Sequence, residues 1–224
     1  MSFGDKKLSE IAVSVPGSTS LLREYDLDFC CGGSDTLANA AAEKGLNLAE
    51  IETRLTELQN SKAENPEEYW VNATYPEIID HILVRYHQRH REQLQELIVL
   101  ADRVESVHGD REDCPIGVAA ELRNVYEDLS NHMMKEEHVL FPMIKAGNYM
   151  MAQMPIRMME MEHSEHGEHL EVLKSLTNNM TPPADACNTW RALYSGIQEF
   201  ADDLMMHIHR ENNILFPRVI AENH

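Results

Sequence analysis

The sequence has few cysteines, few basic residues and no long apolar run. Only four of its 224 residues are cysteine. Two of them, Cys30 and Cys31, are neighbours whose Cα atoms lie about 3.8 Å apart, closer than disulfide partners usually lie. A fold held by disulfides is therefore excluded, and reduced thiols are typical of a cytoplasmic protein. No apolar run approaches the roughly 18 residues that span a bilayer, and no signal-peptide stretch follows the first residues, so we expect neither membrane insertion nor export.

Positive charge is also scarce. The chain has 19 Lys and Arg against 38 Asp and Glu, a net charge of −19. Such a chain repels phosphate backbones and anionic lipid headgroups, which argues against nucleic acid and membrane partners. Aromatic residues make up only 6%, whereas His (12) and Met (13) are frequent. Apolar residues at 43% and charged residues at 25% are nevertheless ordinary for a soluble globular protein.

The first 60 residues differ from the rest in the length of their predicted helices. Residues 1–60 predict a small helical domain, in which the motif Asp28-Phe29-Cys30-Cys31-Gly32-Gly33 separates the first two helices. Residues 61–73 show no apolar periodicity, and Pro66 would break a helix, so we predict a linker there. Residues 74–224 then form a second domain.

The second domain has four amphipathic stripes. Apolar and His positions recur at alternating spacings of 4 and 3, which is one face of an α-helix. The stripes cover residues 83–104, 118–139, 156–173 and 193–214, with breaks rich in Gly and Pro between them. We therefore predict an all-α protein, an up-down-up-down four-helix bundle behind the small N-terminal helical domain.

The stripes are also duplicated. Adding 75 to each position of the second stripe gives the fourth. Adding 76 to five positions of the first stripe gives positions of the third: Leu83, His87, His90, Leu94 and Leu97 map onto Met159, His163, His166, Leu170 and Leu173. The second and fourth stripes each carry His-x-x-x-Glu followed by Leu-Phe-Pro. A polar residue that recurs in register in both copies is difficult to attribute to chance.

Six polar residues lie on these otherwise apolar stripes: His87, His132, Glu136, His163, His207 and Glu211. Buried His and Glu are costly unless they are hydrogen-bonded, paired or bound to metal. Four imidazoles and two carboxylates exceed what one tetrahedral zinc takes, and they suit two ions that the glutamates bridge. Imidazole binds Zn, Cu, Fe and Ni, while bridging carboxylates in a helical bundle favour a pair of non-haem irons. The alternative interpretation is that these histidines are hydrogen-bonded core residues without a metal. The duplication favours the metal site over this alternative.

The paired His-x-x-x-Glu motifs, each followed by Leu-Phe-Pro, resemble the hemerythrin-like superfamily. With the leading Cys-Cys-Gly-Gly domain, nearly the whole chain resembles the repair of iron centres (RIC) proteins of the YtfE/ScdA type. The resemblance implies a cytoplasmic di-iron protein that restores iron–sulfur clusters damaged by nitric oxide or peroxide, and it places the family's ligand motif on the same six residues. Iron–sulfur proteins would be its clients, and NO or O2 its small ligand. Oxygen-carrying hemerythrins use a fifth His and a mixed Glu/Asp pair, from which this sequence departs.

Several roles stay open at this point. Repair could proceed by NO reduction at the di-iron centre, which would make the protein an enzyme, or by iron donation. The rival interpretations are a module that binds O2 or NO reversibly as a sensor or carrier, and an iron store without gas chemistry. The oligomeric state is open as well, a homodimer included.

Two residue pairs have alternative interpretations. His90 and His166 follow His87 and His163 by one turn and fit ligand spacing, but the family motif favours the earlier member of each pair, so we expect the later ones beside the ligands. Cys30 and Cys31 could be structural thiols, could relay electrons or hold iron or a nitrosyl, or could contact the bundle and gate the metal centre.

Overall fold

The computed structural model describes residues 2–61 and 63–222, so Lys62 of the predicted linker and the last two residues of the predicted bundle lie outside it. All regular secondary structure in these ranges is helical, which confirms the predicted all-α class. Among the described residues, no helix has both the length and the apolar character needed to cross a membrane. The chain divides into two compact units: an N-terminal unit of Met1–Ile78 with Met206–His224, and a bundle unit of Ile79–Met205.

The N-terminal unit begins with short helices. They are α1 (Leu8–Ser14), α2 (Ser18–Glu24), α3 (Leu37–Glu43), α4 (Leu48–Asn60) and α5 (Pro66–Asn72). Helix α1 packs against α2 and α5, while α4 packs against α2 and α3. The core of this unit is apolar and includes Leu8, Ile11, Leu22, Leu27, Phe29, Leu37, Ile51 and Leu55, all of them buried.

The segment predicted to be a linker contains a helix. Pro66 begins α5 instead of preventing it, because the fixed φ of proline suits the first helical turn, where its missing N–H would have no intrahelical partner. The Asn65 side chain caps this helix by accepting a hydrogen bond from the Glu67 N–H at 3.2 Å. Pro66 therefore marks the start of a helix and does not interrupt one. The predicted domain limits at residues 60 and 74 stay a prediction.

From residue 75 onward the chain forms four longer helical segments, three of which contain a π-helical turn. The first segment is α6 (Tyr75–Ile82), π1 (Leu83–His87) and α7 (Gln88–His108). The second is α8 (Val118–Lys135), π2 (Glu136–Leu140) and α9 (Phe141–Lys145), and the third is α10 (Tyr149–Leu176) alone. The fourth is α11 (Asn188–Arg210), π3 (Glu211–Leu215) and α12 (Phe216–Ala221).

Neighbouring helices of the bundle unit run antiparallel. Helix α7 lies between α8 and α11, and α10 packs on the other side of α8, as an up-down-up-down bundle requires. The ion pairs that join these helices are Arg85–Asp203 (2.6 Å), Arg89–Glu199 (3.2 Å), Arg123–Asp102 (2.6 Å) and His169–Glu121 (2.6 Å). The buried core between them includes Leu94, Leu97, Val104, Leu122, Val125, Leu129, Ile156, Leu173, Leu193, Ile197 and Phe200.

One apolar stripe position is exposed, at the π turn of the second helical segment. Val139 ends the second predicted stripe but is 43% exposed, whereas Leu140 beside it is 1% exposed. A π turn has one more residue than an α turn, so π2 moves the inward face of the helix by one position. The regular spacing of 3 and 4 therefore fails at this turn.

This register shift predicts a difference between two adjacent side chains. We expect Leu140→Ala to lower the free energy of unfolding by about 2–5 kcal/mol, because it leaves a cavity in the core. Val139→Ala, the matched control, removes an exposed side chain and should change it by about 0.5 kcal/mol or less. Urea denaturation in the presence of a metal chelator measures both. A larger loss in Val139→Ala would show that the helix continues there without the π turn.

Candidate metal centre

The bundle unit brings four of the predicted ligands together. His87 ends π1, His132 lies in the last turn of α8, Glu136 begins π2 and His163 lies in the middle of α10. All four side chains are at most 1% exposed. The antiparallel helices thus bring three imidazoles and one carboxylate to the same level of the bundle unit.

The ring nitrogens face the carboxylate directly. One oxygen of Glu136, Oε2, lies 3.3 Å from Nε2 of His87 and 3.5 Å from Nε2 of His132. Nε2 of His132 in turn lies 3.1 Å from Nε2 of His163. Neither oxygen of Glu136 accepts a hydrogen bond from the described residues. Burying a carboxylate in this state is costly unless it is neutralised, paired or bound to a metal.

The outer nitrogen of His87 is held by a second carboxylate. Nδ1–H of His87 donates to Oε1 of Glu137 at 2.8 Å, and Arg91 contacts the same oxygen at 2.7 Å. The hydrogen bond from His87, together with the charge of Arg91, lowers the pKa of the Glu137 carboxyl to about 2. Glu137 is therefore anionic at neutral pH and holds a ring proton on Nδ1, so that Nε2 of the neutral ring is the nitrogen that a metal ion would take.

His132 has the same kind of support from a different helix. Its Nδ1–H donates to Oε2 of Glu162 at 3.0 Å, and Lys135 pairs with the other oxygen at 2.6 Å. The hydrogen bond from His132, together with the charge of Lys135, lowers the pKa of Glu162 to about 2. A carboxylate that fixes the far nitrogen of a histidine is the usual outer partner of a metal-bound imidazole.

These hydrogen bonds determine the chemistry of the cluster. With the outer nitrogen protonated, the Nε2 atom of a neutral His87 or His132 ring is available as a metal ligand, and both Nε2 atoms lie close to the Glu136 carboxylate. Nitrogen and oxygen donors without sulfur suit iron or another divalent first-row ion. The residues of the bundle unit therefore fit a metal.

His207 and Glu211 have the same local geometry as His132 and Glu136, the first copy of the His-x-x-x-Glu motif. Both are fully buried, and Nε2 of His207 lies 3.3 Å from Oε1 of Glu211. The corresponding distance from His132 to Glu136 is 3.5 Å. Each glutamate is also the first residue of a π turn, π2 or π3. The duplication found in the sequence thus extends to backbone conformation, although His207 and Glu211 belong to the N-terminal unit.

His90 and His166 are buried among rings. His90 stacks on Tyr86 with ring centroids 6.1 Å apart and meets Phe200 edge-on at 5.4 Å. His166 meets the ring of His132 edge-on at 4.9 Å. Among the described residues, several sets of His, Cys, Asp or Glu have ligand atoms within 4.8 Å of one another, and neither His90 nor His166 belongs to such a set. Their expected place beside the ligands stays a prediction.

The two cysteines lie in the loop before α3, within the N-terminal unit. Cys30 is buried and Cys31 half-buried, with their sulfur atoms 3.7 Å apart. Side-chain amides of π3 hold this loop: Asn212 donates to the carbonyl of Cys30 at 3.0 Å and Asn213 to that of Phe29 at 2.8 Å. The thiol loop therefore contacts the turn that begins with Glu211.

The sequence analysis missed the residues that support the ligands. Glu137 directly follows Glu136, and Glu162 directly precedes His163, so both lie next to predicted ligands in the chain. Successive helical residues point about 100° apart, and a Glu off the apolar stripe is normally solvated. Adjacency to a ligand was the only sequence signal for these residues, and it does not identify a partner.

Comparison with known proteins agrees with this arrangement. Residues 78–219 match the hemerythrin HHE cation binding domain family, and residues 4–59 match ScdA_N, a domain of unknown function (DUF542). The chain is 68% identical over 222 residues to a probable iron-sulfur cluster repair protein of Haemophilus influenzae, covering 99% of this chain and 100% of the relative. It is 55% identical to the iron-sulfur cluster repair proteins YtfE of Citrobacter koseri and of Escherichia coli O81, covering 99% of each chain.

The hydrogen bonds of Glu137 and Glu162 to the two histidine rings predict that these carboxylates affect metal affinity but not folding. We expect Glu137→Gln or Glu162→Gln to weaken ferrous iron binding about 10- to 100-fold, because the ring loses its anionic partner. Glu127→Gln, which replaces an exposed carboxylate of α8, is the matched control and should bind iron normally. Competition with a chromophoric chelator gives the affinities, and circular dichroism verifies the fold. Wild-type affinity in both variants would contradict this role.

Proposed function

This chain belongs to the hemerythrin HHE cation-binding family, and we propose that it repairs iron–sulfur clusters damaged by nitrosative or oxidative stress. The relatives named as iron–sulfur cluster repair proteins match it over essentially its whole length. Repair implies that iron–sulfur proteins are its clients. No disulfide joins its described cysteines, which fits the reducing cytoplasm, where we place this activity.

The observation that carries the proposal is the buried Glu136 carboxylate facing the Nε2 atoms of His87 and His132. We propose that two non-haem iron ions are held by the six stripe residues, with Glu136 and Glu211 as the bridging carboxylates. The offset of 75 residues supports a ligand role for the second copy, because it relates His132 and Glu136 to His207 and Glu211. The full proposed ligand set is His87, His132, Glu136, His163, His207 and Glu211.

Bound iron would supply one-electron redox chemistry and a coordination position for NO or O2. The residues of the chain do the remaining work. Glu137 and Glu162 orient the rings of His87 and His132 and keep the proton on the outer nitrogen. The apolar positions of the same stripes, such as Leu129 and Phe200, are fully buried and exclude water from this part of the core.

Repair could use this iron in two ways, and one pair of assays separates them. Production of nitrous oxide from NO by the reduced protein, under single-turnover conditions, would support NO reduction. Transfer of iron to an apo iron–sulfur protein in the absence of NO would support iron donation. A protein that only senses or carries a gas would give neither result.

The proposed bridging role predicts a disproportionate loss of metal. We expect Glu136→Leu or Glu211→Leu to lose far more than half of the bound iron, because a bridging carboxylate contributes to both coordination spheres. Glu127→Leu, at an exposed position, should retain it all. Iron analysis of anaerobically purified protein, with Mössbauer spectra, measures the outcome. Two irons per chain with an unchanged spectrum in either variant would show that the glutamate does not bridge.

Repair itself can be tested with the thiol loop. If the thiols act in repair, replacing both Cys30 and Cys31 with Ser should leave the iron content and the spectrum of the proposed di-iron site unchanged but weaken reactivation of an NO-damaged iron–sulfur enzyme. The matched control is Cys187→Ser, which changes an exposed cysteine outside this loop. Full reactivation combined with a lower melting temperature would mean that the two thiols only pack.

A further inference from the structure

A second cluster of metal-binding groups lies in the N-terminal unit, formed by Asp28, Cys30 and Cys31. One ligand atom from each lies within 4.8 Å of the other two. The Cys30 sulfur is 3.2 Å from Oδ1 of Asp28 and 3.7 Å from the Cys31 sulfur. All six proposed iron ligands lie elsewhere in the chain, at residue 87 or beyond.

The sulfur separation fits a bound ion better than a disulfide. Two thiolates about 2.3 Å from a tetrahedral ion lie about 3.8 Å apart, close to the observed 3.7 Å. A disulfide requires about 2.05 Å. The Cys30 and Cys31 sulfurs are therefore already placed to bind one ion together.

The backbone holds the three groups in place. The N–H groups of Cys30 and Cys31 donate to Oδ1 of Asp28 at 3.0 and 2.9 Å, and that of Gly32 donates to Oδ2 at 2.9 Å. Gly33 makes the tight turn possible, because a Cβ there would lie 2.5 Å from the carbonyl oxygen of Phe29. A carboxylate fixed by hydrogen bonds beside two thiols is a preorganised ligand set.

The π3 asparagines anchor the same loop from the other side. Asn212 and Asn213 donate to the carbonyls of Cys30 and Phe29 and so fix the backbone that carries the two thiols. Cys30 is buried, whereas Cys31 is half-buried and Asp28 exposed. An ion held here would have three protein ligands on one side and solvent on the other, as in sites that exchange ligands.

We propose that Asp28, Cys30 and Cys31 form a metal-binding site, separate from the bundle centre, that takes a thiophilic divalent ion such as ferrous iron or zinc reversibly. The ion replaces the Cys30 thiol proton that now faces Asp28, and the thiol protons leave to solvent. The hydrogen bond with Cys31, burial and the charge of Asp28 raise the pKa of the Cys30 thiol well above its usual value.

Cobalt(II) is the probe, added to full-length protein that retains its bundle metal. Thiolate-bound cobalt(II) has a near-ultraviolet charge-transfer band that imidazole and carboxylate ligands do not produce, so the readout is independent of the proposed iron site. We expect a saturable band. Cys30→Ser and Cys31→Ser should each weaken cobalt binding at least about tenfold, Asp28→Asn should weaken it by a similar factor, and the control Cys187→Ser should leave it unchanged.

The proposal is overturned if the wild type shows no such band, or if either single Ser variant keeps wild-type affinity. Unchanged affinity in Asp28→Asn overturns the three-ligand site. Because a Ser variant could fail to fold, a second measurement uses the wild type alone: cobalt or zinc should slow alkylation of Cys31 while leaving Cys187 reactive. Equal alkylation rates with and without metal would also overturn the proposal. Loss of the bundle iron, in contrast, should not affect either readout.

Discussion

The bundle depends on one electrostatic constraint, the negative charge of Glu136 inside an apolar core. An isolated buried carboxylate costs several kcal/mol or more. The Nε2 atoms of His87 and His132 lie 3.3 and 3.5 Å from it, and a cation bound among these three groups would offset its charge. Glu137 and Glu162 extend the arrangement outward, because each fixes the ring of one histidine and is itself neutralised by Arg91 or Lys135.

The π turns show how the helices meet this constraint. Each of the three begins or ends at a proposed ligand: π1 ends at His87, π2 begins at Glu136 and π3 begins at Glu211. A π turn inserts one residue, which changes the direction of the following side chains while the helix continues. Single-turn π insertions are frequent at functional sites. At π2, the proposed ligand Glu136 and the apolar Leu140 are both buried.

The same constraint does not explain the N-terminal unit, which is organised around a backbone turn. The Asp28 carboxylate accepts hydrogen bonds from three N–H groups of the loop that carries the two thiols. The side-chain amides of Asn212 and Asn213, in π3, donate to carbonyls of the same loop. The residues that follow Glu211 therefore hold the thiols, while Glu211 itself belongs to the duplicated motif. One turn of the helix thus carries both a residue of the duplicated motif and the residues that hold the thiol loop.

The sequence by itself determined the helical class, the four stripes, the duplication and the candidate ligands, because a helical face and a 75-residue repeat are one-dimensional patterns. The tertiary structure alone decided the rest. Val139 is exposed because the helix departs from α geometry at π2. Helix α5 begins at Pro66 because the N–H that proline lacks would have no intrahelical partner in the first turn. Glu137 and Glu162 became partners of His87 and His132 only when separate helices came within hydrogen-bonding distance, which no spacing along the chain encodes.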